Sequence, residues 1–427
     1  MAEKIKEINA EDYRRELLPS ERAVLDFYST ECPPCEALAS KYESLSEIYG
    51  DDIRFFKIFR QGNRELAESL GVTGSPTILF YKKGEITGKV LTGAIKRSEI
   101  MAELDALLLP GRVEELKNSI KPVATYCDTV ILGAGPAGLT AGIYLAQADV
   151  DAILVDRALP GGYVSTTHQV SNYPGFPEPQ PGYMLSHYMH EQAKKAGVKF
   201  RSAVDVDRVD LVKKEVFIDG YESIKAKKLI IATGSSPKPL NIPGEREYSG
   251  KGISYCATCD AKYYKDRDVI VIGGGNSAIE ESLFIAGFAR KITIVHQFAE
   301  LQANKQAQKK AFSEKKIEFL FEHEPREFKK HGNMDMEVVV ENLKNGEYMS
   351  IRSHGVFVFV GFKPNVELFN RNLKLDEWGY ILTNNQMRTN IEGVYAAGDV
   401  VSKQYRQITT AVADGTVAAI GISKELS

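Results

Sequence analysis

Thr129-Val130-Ile131-Leu132-Gly133-Ala134-Gly135-Pro136-Ala137-Gly138 decides how this chain is read. Four β-prone apolar residues run into a GxGxxG turn, and Leu139 to Ala146 continue with helical composition. In that order, strand, turn and helix bring backbone close to a pyrophosphate, which the helix N-terminus then stabilises. The next apolar run, Val150 to Val155, ends in Asp156, 23 residues after Gly133, where a carboxylate suits a ribose hydroxyl. A dinucleotide site on Gly133, Gly135, Pro136, Ala137, Gly138 and Asp156 is therefore expected. The turn-rich stretches at Gly162 and Asn172, and Ala232 to Gly234 at the end of another buried strand, are expected to line it.

Downstream the pattern repeats. Asp268 to Ile272 form a strand leading to Gly273-Gly274-Gly275-Asn276-Ser277-Ala278, then a helical run to Phe288 and a strand at Lys291 to Val295. Between the two glycine turns stands Cys256-Ala257-Thr258-Cys259-Asp260. Two nucleotide signatures flanking a CxxC rule out a dehydrogenase with a single nucleotide. A second dithiol, Cys32-Pro33-Pro34-Cys35, follows the strand Ala23 to Tyr28 and opens a helical pattern through Leu38, Tyr42, Leu45 and Ile48. The positive end of a helix lowers the pKa of the first thiol, so Cys32 reads as nucleophile and Cys35 as resolving partner. Prolines fit a first helical turn, where their missing N–H would be unpaired anyway. Strands at 53–58, 78–81 and 89–92 and helices at 63–70 and 97–108 complete a small domain. Leu109-Pro110-Gly111 stops its last helix, and residues 112–125 read as a linker with room for one short helix.

Length and composition set outer bounds. A chain of 427 residues, 43% hydrophobic and 26% charged, suits about three globular domains. A net charge of −3 shows no nucleic-acid footprint. The charged start lacks the apolar core of a secretory signal, and no apolar run reaches the ~20 residues of a membrane span. Four of the five cysteines lie in CxxC pairs, which points to redox chemistry in a reducing compartment, the cytoplasm by default. A zinc site shared by the two pairs is set aside because each has its own redox-type context; no metal is expected. The fifth cysteine, Cys127, opens a strand and reads as core.

Residues 1–110 resemble thioredoxin: Asp26 lies six before Cys32, Lys57 is on the next strand, and Ser75-Pro76-Thr77 matches the cis-proline loop. The resemblance implies that Asp26 assists Cys35 as acid/base and that Pro76 presents backbone to a partner. Pro-Pro between the cysteines, and Tyr28 and Glu31 where tryptophans are usual, depart from the pattern. Residues 126–427 are similar to the low-molecular-weight thioredoxin reductases, through the CxxC-Asp at 256–260, Gly393 to Asp399, and Tyr405-Arg406-Gln407. That resemblance implies FAD on the first fingerprint with Gly398, Asp399, Arg406 and Gln407, and a nicotinamide nucleotide on Gly273, Gly275 and Ala278. It places Cys259 against the flavin, gives Cys256 the attack on a partner disulfide and makes Asp260 the general acid/base.

The implied fold is α/β: a thioredoxin fold, then two Rossmann-like three-layer domains, the second inserted in the first. Boundaries are expected at 1–110, 111–125 (linker), 126–243 with 357–427 (flavin), and 244–356 (inserted). The run Val356 to Gly361 reads as the strand crossing back, and Asp414-Gly415 as the start of the last helix. A homodimer and a large rotation of the inserted domain are also implied.

One departure bears on the donor. The family reads the 2′-phosphate of NADPH with HRRxxxR, whereas this chain has His296-Gln297-Phe298-Ala299-Glu300-Leu301-Gln302. Without guanidinium forks the phosphate loses its charge-assisted hydrogen bonds. NADH, with Gln297 at the ribose, is the expected donor, ahead of NADPH held through Lys305; ferredoxin or another donor is the alternative. His168 and Tyr163 also depart from the family near the flavin. The internal thioredoxin would be the first acceptor, and external disulfide proteins or a peroxiredoxin the next. A peroxiredoxin reductase and a flavoprotein redox sensor without turnover are the rival readings.

Overall fold

The computed structural model describes residues 4–167, 170–332, 335–369 and 373–427. His168 lies outside the described residues. The N-terminal sheet has the order Ile5–Glu7, Arg54–Phe59, Arg22–Tyr28, Thr77–Lys82, Glu85–Thr92, parallel over the first three strands and antiparallel over the last two. Asp26 and Lys57 stand opposite each other in register. The helix Pro33–Tyr49 starts immediately after Cys32, its N-cap, with proline in the first turn. Leu38, Tyr42, Leu45 and Tyr49 recur at helical spacing and bury one stripe against Val24, Phe55 and Phe80.

The segment expected as linker is mostly a helix, Pro110–Ser119. Leu116 joins the thioredoxin-side core, and Arg112 donates two hydrogen bonds to Asp52. Only Ile120, Lys121 and Pro122 separate this helix from the next strand, Val123–Leu132.

That strand lies in the middle of a seven-stranded sheet, parallel to Ala152–Val155 on one side and Glu222–Ile231 on the other. Val394–Ala396 returns from far along the chain to pair with Leu229–Ile231. A second, all-parallel sheet has the order Ile253–Ser254, Gly355–Val358, Asp268–Ile272, Lys291–His296, Ile317–Phe321. Along its third strand the side chains alternate: Val269 and Val271 face the helices, while Ile270 and Ile272 face Val338 and Phe328 of a three-stranded antiparallel sheet. Helices, parallel sheet and small sheet make three layers, an α/β architecture.

Two expectations are corrected. Gly355–Val358 is not the crossing strand; it pairs with Asp268–Ile272 and Ile253–Ser254, so a boundary at 357 cuts through the inserted unit's own sheet. The antiparallel pair Ser235–Pro237 and Phe362–Pro364 carries the chain out and back. A continuous apolar run signals burial but not which sheet will receive it. The last helix spans Ile408–Leu426 and begins after Gln407, so Asp414-Gly415 lie inside it. Gly415 serves close packing instead: a Cβ there would stand 2.2 Å from the Ala137 carbonyl oxygen of the first fingerprint helix.

Candidate active site

The first glycine turn is built of backbone. Gly133 has φ +106°, and a Cβ on it would lie 2.3 Å from the Ala232 carbonyl oxygen; one on Gly138 would lie 1.9 Å from the Gly133 carbonyl oxygen. Gly135 caps the helix Pro136–Gln147, with proline in its first turn and Ala137 buried. Asp156 does not point a free carboxylate outward. Its Oδ2 accepts the Ala134 N–H at 2.6 Å and its Oδ1 the Ala158 N–H at 2.7 Å, tying the turn to the following loop. Burial raises its pKa against those two hydrogen bonds. Gly162 opens a short 3-10 helix, Gly162–Thr166, and the Gly234 carbonyl accepts the Asn365 N–H beside the crossing strands.

Residues from opposite ends of the chain complete this cradle. Asn172 donates to Gln407 across 235 positions at 3.1 Å. Gly398 and Asp399 sit in a turn braced by Arg406, whose guanidinium stacks on Tyr380 at 3.6 Å and reaches the Asp399 carbonyl at 3.4 Å. The Oδ1 of Asp399 is buried without a hydrogen-bond partner, and burial raises its pKa against Lys403 and Arg406. An orphaned buried acceptor beside a glycine turn is what a polyhydroxyl chain would satisfy, so these residues fit FAD. Lys403 was missed in the sequence. It bridges Asp414 at 2.8 Å and Asp399 at 3.9 Å, and its only trace was the spacing of four from Asp399.

The dithiol segment is clasped to this cradle. Cys256 and Cys259 form a disulfide, and Cys256 caps the short helix Ala257–Asp260 with its sulfur accepting the Cys259 N–H at 3.2 Å. The Cys256 sulfur lies 3.8 Å from the Thr166 carbonyl oxygen. Tyr163 donates to the Tyr255 carbonyl at 3.4 Å and packs edge-on against Phe362 at 5.0 Å. Burial, with Glu281 nearby, pushes the Tyr163 phenol up to about 12. Cys259 is exposed, and Asp260 is half-buried one residue on. Glu245, which sequence reasoning did not single out, accepts from the Tyr255 hydroxyl at 2.6 Å and from the Leu240 N–H at 2.9 Å.

The N-terminal dithiol repeats the geometry. Cys32 and Cys35 are disulfide-bonded, and the Cys32 sulfur accepts the Cys35 N–H at 3.2 Å. Ser75–Pro76 is a cis peptide, and the Ser75 carbonyl oxygen lies 3.6 Å from the Cys32 sulfur. Asp26 is 8% exposed, with one oxygen unpartnered. Burial pushes its carboxyl up to about 7, with Lys57 opposing. A carboxyl raised on folding contributes stability below its unfolded pKa and loses it as pH rises through the folded value. Asp26→Asn is therefore expected to slow hydrogen exchange of the Arg22–Tyr28 amides at pH 8, by an opening free energy on the order of 2–4 kcal/mol, and to change little at pH 4. Equal effects at both values would disprove the account.

At the second turn Gly273 has φ +128°, and a Cβ on it would meet the Phe359 carbonyl oxygen at 2.2 Å. Gly275 caps the helix Asn276–Ile285, and Ala278 is buried beneath it. The segment after His296 folds over this turn: the Gln302 N–H reaches the Gly274 carbonyl at 2.9 Å and the Asn304 N–H reaches Asn276 at 2.7 Å. His296 is buried, its ring against Gly274, and burial lowers its pKa. Gln297 and Phe298 are exposed.

A cradle that fits FAD, a second nucleotide-type turn and a dithiol held against the first define a flavin-dependent disulfide oxidoreductase. The family model for pyridine nucleotide-disulphide oxidoreductases matches residues 127–415, and that for thioredoxin matches residues 4–106. A thioredoxin reductase of Peptoclostridium litorale is 44% identical over 305 residues, covering 70% of this chain and 96% of the relative. A 34.2 kDa protein in the rubredoxin operon of Clostridium pasteurianum is 43% identical over 298 residues, with the same coverage of each. The crystal structure of Lactococcus lactis thioredoxin reductase in its FR conformation aligns with TM-score 0.67 at 40% identity, over 70% of this chain and 98% of that one. The chain belongs to the thioredoxin reductase family and carries a thioredoxin domain of its own at the N-terminus. The family implies a flavin and a pyridine nucleotide. Among the described residues no helix is long and apolar enough to cross a membrane.

Proposed function

We propose that this chain is a self-contained relay that moves electrons from NADH to Cys256–Cys259 and then to Cys32–Cys35. FAD, when bound, supplies hydride acceptance from a nicotinamide and delivery of an electron pair to a disulfide. The remaining steps belong to the chain. Each first cysteine caps a helix and receives an N–H bond on sulfur, which favours Cys256 and Cys32 as thiolates. The Cys256 thiolate attacks the Cys32 sulfur, forming a Cys256–Cys32 disulfide and releasing Cys35, which takes a proton. Asp26, which lines the same cavity as Cys35 and has its carboxyl pushed up to about 7 by burial, suits that transfer. Cys259 then attacks Cys256, restoring their disulfide and freeing Cys32. Asp260, next to the dithiol, is the proton partner on that side. The reduced thioredoxin passes its electrons to external disulfide proteins or a peroxiredoxin, and the enzyme works as a homodimer.

The observation carrying this reading is the dithiol segment held against the first nucleotide loop through Thr166 and Tyr163. The choice of NADH rests on the exposed Gln297 and Phe298 where the family's guanidinium forks would stand. Stopped-flow flavin reduction with NADH, NADPH and reduced ferredoxin in turn tests it. Fast bleaching by NADH supports the reading, and bleaching by ferredoxin alone rejects it. Restoring arginine at 297, 298 and 302 together is expected to raise kcat/KM for NADPH by about 10- to 100-fold, since each fork adds a charge-assisted bond of roughly 1.5–3 kcal/mol before desolvation.

A further inference from the structure

We propose that the flavin-side surface carrying Ser202, Ala203, Asp205 and Tyr221 is a dock for the chain's own thioredoxin domain, and that the docked form is a resting state that must open before Cys32–Cys35 is reduced. The proposal rests on the relay described above.

The contact is built from cations on one side and acceptors on the other. Lys41, on the redox helix nine residues after Cys32, is 7% exposed. Its ammonium donates to Ile95 of its own domain at 3.1 Å and across the gap to the carbonyls of Ser202 at 2.8 Å and Ala203 at 2.7 Å. That uses all three of its donors. Lys96 pairs with Asp205 at 2.7 Å, and the Ser98 hydroxyl donates to the same carboxylate. Arg97 is 1% exposed and lies over the Tyr221 ring at 4.5 Å. Glu36, on the redox helix, reverses the polarity with Lys194 at 2.6 Å.

Two features make this contact releasable. Each described hydrophobic cluster lies wholly on one side, residues up to Leu116 on the thioredoxin side and from Cys127 onward on the flavin side, so separation exposes no common apolar core. Arg97 is buried with Nε and Nη2 donating to nothing, a desolvation cost that opening relieves. A third feature makes the state a resting one. Cys256 is against Thr166 and Cys32 is against Ser75, and among the described residues no hydrogen bond or ion pair joins the two dithiol segments. The redox helix turns the face holding Pro33, between the cysteines, and Lys41 toward the flavin side, where both line a cavity with Pro160 and His190. Exchange needs a Cys256–Cys32 encounter, and opening the dock allows it.

The test uses the full chain with Lys96→Glu, Asp205→Lys and the double charge swap. Small-angle X-ray scattering reads the docking. Thiol labelling of Cys32 and Cys35 after photoreduction of the flavin reads internal transfer without any choice of donor. Each single variant is expected to raise the radius of gyration and to speed Cys32–Cys35 reduction at least threefold, with 0.5 M salt doing the same to the wild type. The swap is expected to return both to wild type. Unchanged scattering in the single variants overturns the dock. Expansion with slower transfer overturns the resting state and makes the docked form the productive one. If neither Cys256–Cys259 nor Cys32–Cys35 becomes labelled in any variant, the relay itself fails, while scattering still decides the dock.

Discussion

Full-length protein carrying Cys256→Ser is expected to lose disulfide-reducing turnover at least ~1,000-fold, as removal of a covalent nucleophile does, while its flavin is still reduced by the donor. The reason is chemical. Serine at 256 carries a hydroxyl that stays protonated at neutral pH and forms no disulfide with Cys259, so electrons have no sulfur pair to enter. The sulfur that caps the helix Ala257–Asp260 is the one removed, but a serine hydroxyl takes over as acceptor of the Cys259 N–H, so the loss is one of thiol chemistry and not of the local fold. Cys32→Ser gives the contrast. Its own domain no longer accepts electrons, yet Cys256–Cys259 still exchanges with a small aromatic disulfide such as dithionitrobenzoate. Insulin reduction, dithionitrobenzoate reduction and anaerobic flavin bleaching, measured side by side, separate the two variants. Insulin turnover surviving Cys256→Ser would end the relay.

The second large effect concerns packing. Gly138→Ala places a methyl 1.9 Å from the Gly133 carbonyl oxygen, and Gly415→Ala places one 2.2 Å from the Ala137 carbonyl oxygen. Both partners are backbone, so neither moves aside, and overpacking here is expected to cost roughly 2–3 kcal/mol or more. Both variants are expected to purify with little flavin absorbance and a lowered melting temperature. Gly275→Ala is the control: its methyl meets nothing within 4 Å, and its φ of −84° suits any residue. That variant is expected to melt like the wild type and to show a raised KM for the nicotinamide donor, because the methyl stands where backbone should approach a pyrophosphate. Equal melting temperatures for all three would refute the packing account.

Both glycine turns and both dithiols were legible because each is a local device, a strand, a tight turn and a helix start written in adjacent residues. Asn172 was legible from its turn-rich stretch and Gln407 through resemblance, but their pairing was not, since 235 positions separate them. Lys403 and Glu245 were not legible. Each acts on backbone or carboxylates brought together by folding, and a lone charge in a sequence carries no such mark. The same holds for Gly355–Val358, whose apolar run told of burial but not of its neighbours. Gly415 misled because a glycine after an acid reads as a turn, when its purpose is a helix crossing. Lys41 and Arg97 were invisible for a further reason: each looks like a solvated helix cation until another domain covers it.

The stretch Ile120-Lys121-Pro122 has a kinetic consequence. Fully extended, it spans only about 11 Å, so the N-terminal domain is on a short leash that permits pivoting but no roaming. Hand-over of electrons inside one molecule should then be a first-order event, with a half-time that dilution leaves untouched.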